Sequence, residues 1–93
     1  MINNFSPPLD SGIENAVKIL CSAGIETFES CQGGQGHSYP EPTIRFHGDR
    51  AEGLNAFVIA IRNNLKVVSL RRIYDVIDKE LIGPYWEITF IKQ

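Results

Sequence analysis

No run of apolar residues in this chain approaches the roughly 20 that a membrane-spanning helix needs. The start, Met-Ile-Asn-Asn-Phe-Ser-Pro-Pro, carries neither the basic flank nor the apolar stretch of a secretory signal. The expectation is therefore a protein that stays in the cytoplasm and makes no membrane contact. Cysteine is scarce as well. Cys21 and Cys31 are the only two among 93 residues, too few for a disulfide scaffold, and reduced thiols are expected. Basic charge is thin: nine Lys and Arg face eleven Asp and Glu, giving a net charge of −2. Up to Phe46 there are five acids and two bases, and the later bases are scattered apart from Arg71-Arg72. A protein that lives on nucleic-acid phosphates shows a basic patch, so that partner is disfavoured.

What the chain does have is regular patterning. Ser11 and Glu14 form a capping box, and Ile13, Ala16, Val17 and Leu20 follow on one helical face. Gly24 suits the left-handed position after the helix, with Ile25 as its hydrophobic contact. The spacing predicts a helix over 12–23. Ile25 to Ser30 and Thr43 to His47 alternate as strands, with Ile44 and Phe46 toward a core and Thr43, Arg45 and His47 on the other side. A second capping box, Asp49 with Glu52, opens a helix whose expected core face is Leu54, Phe57, Val58 and Ile61, stopping at Asn63-Asn64. Lys66 to Ile77 reads as a long strand with a bulge near Arg71-Arg72, a pair suited to a solvated or dimer face. Gly83-Pro84 reads as a turn, and Tyr85 to Lys92 as a last strand with Trp86, Ile88 and Phe90 inward. Tyr85 and Glu87 then share the open face with Arg45 in one possible strand order.

The order α-β-β-α-β-β predicts an α+β fold: a two-layer sandwich with two helices on one face of a four-stranded, mainly antiparallel sheet. Residues 1–93 make a single domain, with 1–10 an extended N-terminal arm. Each half repeats helix, strand, loop, strand. At this size the core is adequate rather than generous, so a homodimer or higher homo-oligomer is expected.

The Gly-rich loop from Ser30 to Pro42 stands out. Hairpin connections usually take two to five residues, and much longer ones tend to be functional. Gly33, Gly34 and Gly36 can present backbone donors, while Gln32, Gln35, His37, Ser38 and Tyr39 add polar side chains. Arg45 and His47 follow on one strand face. A nest of amides followed by Arg suits phosphate or carboxylate. The leading expectation is thus binding, without catalysis or cofactor, of a small anionic, possibly nucleotide-like molecule. Its contacts would come from Ser30, Cys31, Gln32, Gly33, Gly34, Gly36, His37, Tyr39, Arg45 and His47. Neither of the familiar phosphate-loop signatures, G-x-x-x-x-G-K-[ST] or G-x-G-x-x-G, is present.

Three alternatives use other chemistry. Cys31 could be a nucleophile with His37 as base. Cys31, His37 and His47 could hold zinc, although structural zinc sites usually take four ligands at paired short spacings. The open sheet face or a strand edge could instead bind a host protein, making the chain a protein-interaction module.

The block Gly24-Ile25-Glu26-Thr27-Phe28-Glu29-Ser30-Cys31-Gln32-Gly33-Gly34, continued through Gly36-His37 and Pro40-Glu41-Pro42-Thr43, resembles small uncharacterised phage and prophage proteins. That resemblance implies a phage-associated accessory protein working in the host cytoplasm. Ser30, Cys31 and Gly33 are also similar to the Ser-Cys-Ser-Gly-Arg loop of the wybutosine-synthesis methyltransferase family, with Gly34 where that family has Arg. This second likeness implies a loop that cradles a nucleotide-like ligand.

Overall fold

The computed structural model describes residues 13–36 and 39–91. The predicted N-terminal arm, Ser11 of the first capping box and His37 of the loop lie outside the described residues. Two helices and four strands follow in the predicted order: α1 (Glu14–Ser22), β1 (Glu26–Cys31), β2 (Thr43–His47), α2 (Arg50–Arg62), β3 (Val67–Ile77) and β4 (Glu80–Phe90). The strands form one antiparallel sheet in the order β1-β2-β4-β3. Each αββ half thus contributes one central and one edge strand, and the halves meet where β2 pairs with β4.

α1 forms as its pattern dictates. Ile13, Ala16, Val17 and Leu20 are buried. Gly24 takes a φ of 87°. The Gly24 amide donates to the Cys21 carbonyl and the Ile25 amide to the Leu20 carbonyl, which closes the helix end with the Ile25 side chain tucked inside. Both helices cover one side of the sheet, and the core between the layers includes Ile44, Phe46, Trp86, Ile88 and Phe90.

α2 begins as predicted, with Asp49 Oδ1 accepting the Glu52 amide at 3.0 Å. Its buried face is different. Gly53, Ala56 and Ala60 point inward, whereas Leu54 is 58% exposed and Ile61 47% exposed. The reason is Trp86. Its indole lies against α2 so closely that a Cβ on Gly53 would fall 2.2 Å from Trp86 Cε2. The indole nitrogen donates to the Asp49 carbonyl at 2.9 Å. Only a helix face of small residues can approach a ring held there.

Two turn features also differ from expectation. The β3–β4 hairpin turns at Asp78 and Lys79, with φ of 51° and 67°, the paired left-handed conformation that matches strand twist. Gly83-Pro84, joined by a cis peptide bond, lies within β4. There Ile73 pairs with Tyr85 and Asp75 with Ile82, so the two residues bulge opposite Tyr74. The other irregularity of β3 falls between Val67 and Ser69, while Arg71 and Arg72 stay in register with Glu87 and Trp86. Among the described residues no helix is long and apolar enough to cross a membrane.

Candidate functional site

The sheet face away from the helices carries the alternate residues of every strand. Register sets Glu29 beside Arg45, Arg45 beside Glu87, and Glu87 beside Arg71. The Gly-rich loop folds back over this row. The Gly34 amide donates to the Pro40 carbonyl at 3.0 Å, and Thr43 Oγ1 donates to the Glu41 carbonyl at 2.8 Å. The Phe90 amide ties Pro42 to the end of β4. Gly33 has a φ of 81°, and a Cβ there would fall 2.4 Å from the Glu41 carbonyl carbon. The two limbs of the loop therefore touch at Gly33, a contact that no other residue type allows.

The return limb brings Tyr39 onto the sheet. Its hydroxyl donates to Glu29 Oε1 at 3.0 Å, and its ring lies 5.0 Å from the Arg45 guanidinium carbon. Tyr85 stands 5.1 Å away on Arg45 as well, so both tyrosines make cation–π contacts with one guanidinium. Arg45 Nη1 reaches Glu29 Oε1 at 3.4 Å, while Arg45 Nε is buried with no hydrogen-bond partner among the described residues. Partial burial, then the hydrogen bond to Glu29 and that carboxylate's charge, push the Tyr39 hydroxyl up to about 12 against the opposing pull of Arg45. Burial and the hydrogen bond to Asp75 raise Tyr85 in the same sense. Glu87 is only 3% exposed, and Arg71 Nη2 holds it at 3.2 Å.

The residues singled out from sequence separate into groups. Tyr39 and Arg45 meet. Gly33 and Gly34 belong to the same loop, but their amides are turned to Cys31 Sγ and the Pro40 carbonyl. Gly36, with φ of 84°, is exposed at the loop tip. Ser30 pairs with Ile44 and so belongs to the helix side of β1. Gln32 is half-buried beside Cys31, whose thiol is buried. His47 is exposed, its ring stacked 4.4 Å from that of Phe28.

That arrangement separates two of the three residues of the zinc alternative. Cys31 pairs with Thr43 and His47 with Glu26, at opposite ends of the β1–β2 ladder. Thr43 and His47 are four strand steps apart, about 13 Å at the rise of a β-strand. Cys31 and His47 cannot share one ion. Among the described residues no group of three His, Cys, Asp or Glu side chains could hold a metal. The Cys31–His37 pair involves a residue outside the described set.

Sequence pattern placed Arg45 on the open face and put Tyr39 in the same site, but missed their shared partner Glu29 and the Arg71–Glu87 pair. The alternation of β1 was the available signal for Glu29. Strand order, which fixes Glu87 beside Arg45, leaves no local mark.

The fold and site define a two-layer α+β domain with a tightly closed loop over an ion-paired sheet face. No protein-family model, curated protein or solved structure matches the chain.

Proposed function

We propose that this domain is a protein-interaction module, acting through the β3–β4 hairpin rather than by chemistry at the loop. One observation carries the reading. Past Trp86, where the register of β2 ends, β3 and β4 run on as a two-stranded arm to the Asp78-Lys79 turn. Along that arm Tyr74, Val76, Ile77, Leu81 and Ile82 are all exposed, Val76 by 71% and its cross-strand partner Leu81 by 67%. A two-stranded ribbon is marginal by itself in water, and a contiguous exposed apolar patch marks a contact surface.

The test is site-specific photo-crosslinking in cells. A photoreactive residue at Val76 or Leu81 should yield protein adducts that one at Asn55, exposed on α2, does not. Val76→Lys with Leu81→Lys should abolish adducts formed from Glu80 while leaving the thermal midpoint within the small range of surface changes. Absence of adducts on the arm, or equal yields at Asn55, removes the proposal.

A second reading keeps a small anionic, nucleotide-like molecule at the loop. The observation in its favour is Arg45 Nε, a buried donor with no partner among the described residues, because such groups are uncommon in folded proteins. Engagement of the Gly33 and Gly34 amides within the loop, and the acids Glu29 and Glu87 around Arg45, weigh against it. Calorimetric titration with nucleotides and cyclic dinucleotides decides the point. Under this reading Arg45→Ala weakens binding by about 1.5–3 kcal/mol, and no binding by the parent eliminates it.

A further inference from the structure

The two edges of the sheet are unlike. β1 is short, broken by a bulge at Phe28 and lined by Glu26 and Glu29, features that discourage strand addition. β3 is 11 residues long, and among the described residues no strand lies beyond it. Its charges are Arg71, Arg72 and Asp75. Arginines on an edge can serve to repel other strands, so the question is whether any pairing satisfies them.

Two copies of β3 joined edge to edge must run antiparallel about a two-fold axis perpendicular to the sheet. Directly opposed residues then share a face, so the axis passes through a residue paired with itself. Centred on Arg71 or on Arg72, the pairing sets two arginines face to face. Centred on Tyr74, it sets Arg71 opposite Ile77. Centred on Ile73, each charged residue finds a suitable neighbour, and Ser69 faces the partner's Ile77. Arg71 faces the partner's Asp75 twice over, Arg72 faces the partner's Tyr74, and Leu70 faces the partner's Val76. The side chains agree with this. Arg71 and Asp75 both lie on the open face, where they touch Glu87 and Tyr85 respectively. The Arg71 side chain is 64% exposed and uses one nitrogen on Glu87, leaving other donors of its fork for a second carboxylate. Asp75 accepts the Tyr85 hydroxyl at Oδ2, leaving Oδ1 for a guanidinium.

We propose that the occupant of the hairpin arm is a second copy of this chain, the two β3 strands pairing about Ile73 to make one continuous eight-stranded sheet. This rests on the interaction reading above and names its partner. The joined strands cover the Tyr74–Ile77 half of each arm, and both helical layers fall on the same side of the shared sheet.

Charge exchange and register trapping test it. The wild-type protein should sediment at twice its 10.4 kDa mass. Asp75→Lys and Arg71→Glu should each weaken self-association about tenfold or more, since two attractive cross-strand pairs become repulsive. Mixed together, the two variants should associate again, because the mixed dimer restores one opposite-charge pair in each orientation. Recovery in the mixture also shows that both variants fold. Ile73→Cys should form an intermolecular disulfide, because directly opposed strand residues lie about 4.5–5.5 Å apart at Cα, inside the disulfide range. Arg72→Cys, offset by two residues from its copy, should not. A monomer at every concentration tested, or a dimer that Ile73→Cys fails to trap, overturns the inference. If the protein is monomeric yet Val76 and Leu81 crosslink to another protein, the interaction reading survives without this partner. If neither occurs, both fall.

Discussion

Replacing Gly53 by Ala sets two well-measured effects against each other. In an ordinary helix interior the change stabilises by about 1 kcal/mol, because Gly costs backbone entropy that Ala does not. Here the new methyl would lie 2.2, 2.3 and 2.5 Å from three carbons of the Trp86 indole. Comfortable carbon contacts are about 3.5–4.0 Å, so the ring or the helix must move by more than an ångström. Overpacking of this kind costs about 1–3 kcal/mol. Displacing the indole also strains its bond to the Asp49 carbonyl, about 0.5–1.5 kcal/mol if lost. The net expectation is a loss of roughly 1–3 kcal/mol, or a thermal midpoint lower by about 4–8 °C per kcal/mol for a domain of this size. Urea and thermal denaturation followed by far-UV circular dichroism measure it. Leu54→Ala, one residue along but exposed, is the control and should stay within about 0.5 kcal/mol of wild type. A neutral or stabilising Gly53→Ala, or a Leu54→Ala that costs several kcal/mol, would show that α2 presents its other face to the sheet.

Two further substitutions and one titration follow from the loop. Gly33→Ala should destabilise by about 2 kcal/mol or more, from left-handed strain plus collision with Glu41. Gly36→Ala, with positive φ but no clash among the described residues, should cost only the strain, about 1–2 kcal/mol, and equal losses in chemical denaturation would mean the loop limbs do not touch. The raised Tyr39 keeps its proton in the folded state after the unfolded chain has lost it, so its contribution to stability is intact below about pH 10 and declines as pH rises toward 12. Ultraviolet titration should find one tyrosinate that forms only near pH 12, absent in Tyr39→Phe and shifted downward in Glu29→Gln. Unchanged titration curves would contradict the Tyr39–Glu29 contact.

The elements were legible because their signals are local. Asp49 with Glu52, Gly24 before Ile25, and the alternation of Ile44, Phe46, Trp86, Ile88 and Phe90 each act within a few residues. The inward face of α2 was not legible. Leu54 and Ile61 sit at helical spacing and look like core, but the bulk of Trp86, far along the chain, selects Gly53, Ala56 and Ala60 instead. The turn of the long hairpin was misread for a similar reason. Gly83-Pro84 is the stronger local turn signal, yet cross-strand register absorbs it as a bulge and leaves reversal to Asp78-Lys79. At the site, alternation revealed which way Arg45 faces. Its neighbours Glu29, Tyr39 and Glu87 depend on strand order and loop closure, which are tertiary events.

The single tryptophan of the chain sits at the junction of α2 and the sheet. All indole fluorescence of this protein therefore originates at one contact, and its wavelength reports whether the second helix is seated. Emission should shift to the red when that helix leaves, even if the strands remain paired. Followed alongside circular dichroism, it turns an unfolding experiment into a separate reading of two events, the undocking of a helix and the loss of secondary structure. Coincident curves would mean that the helix and the sheet stand or fall as one cooperative unit.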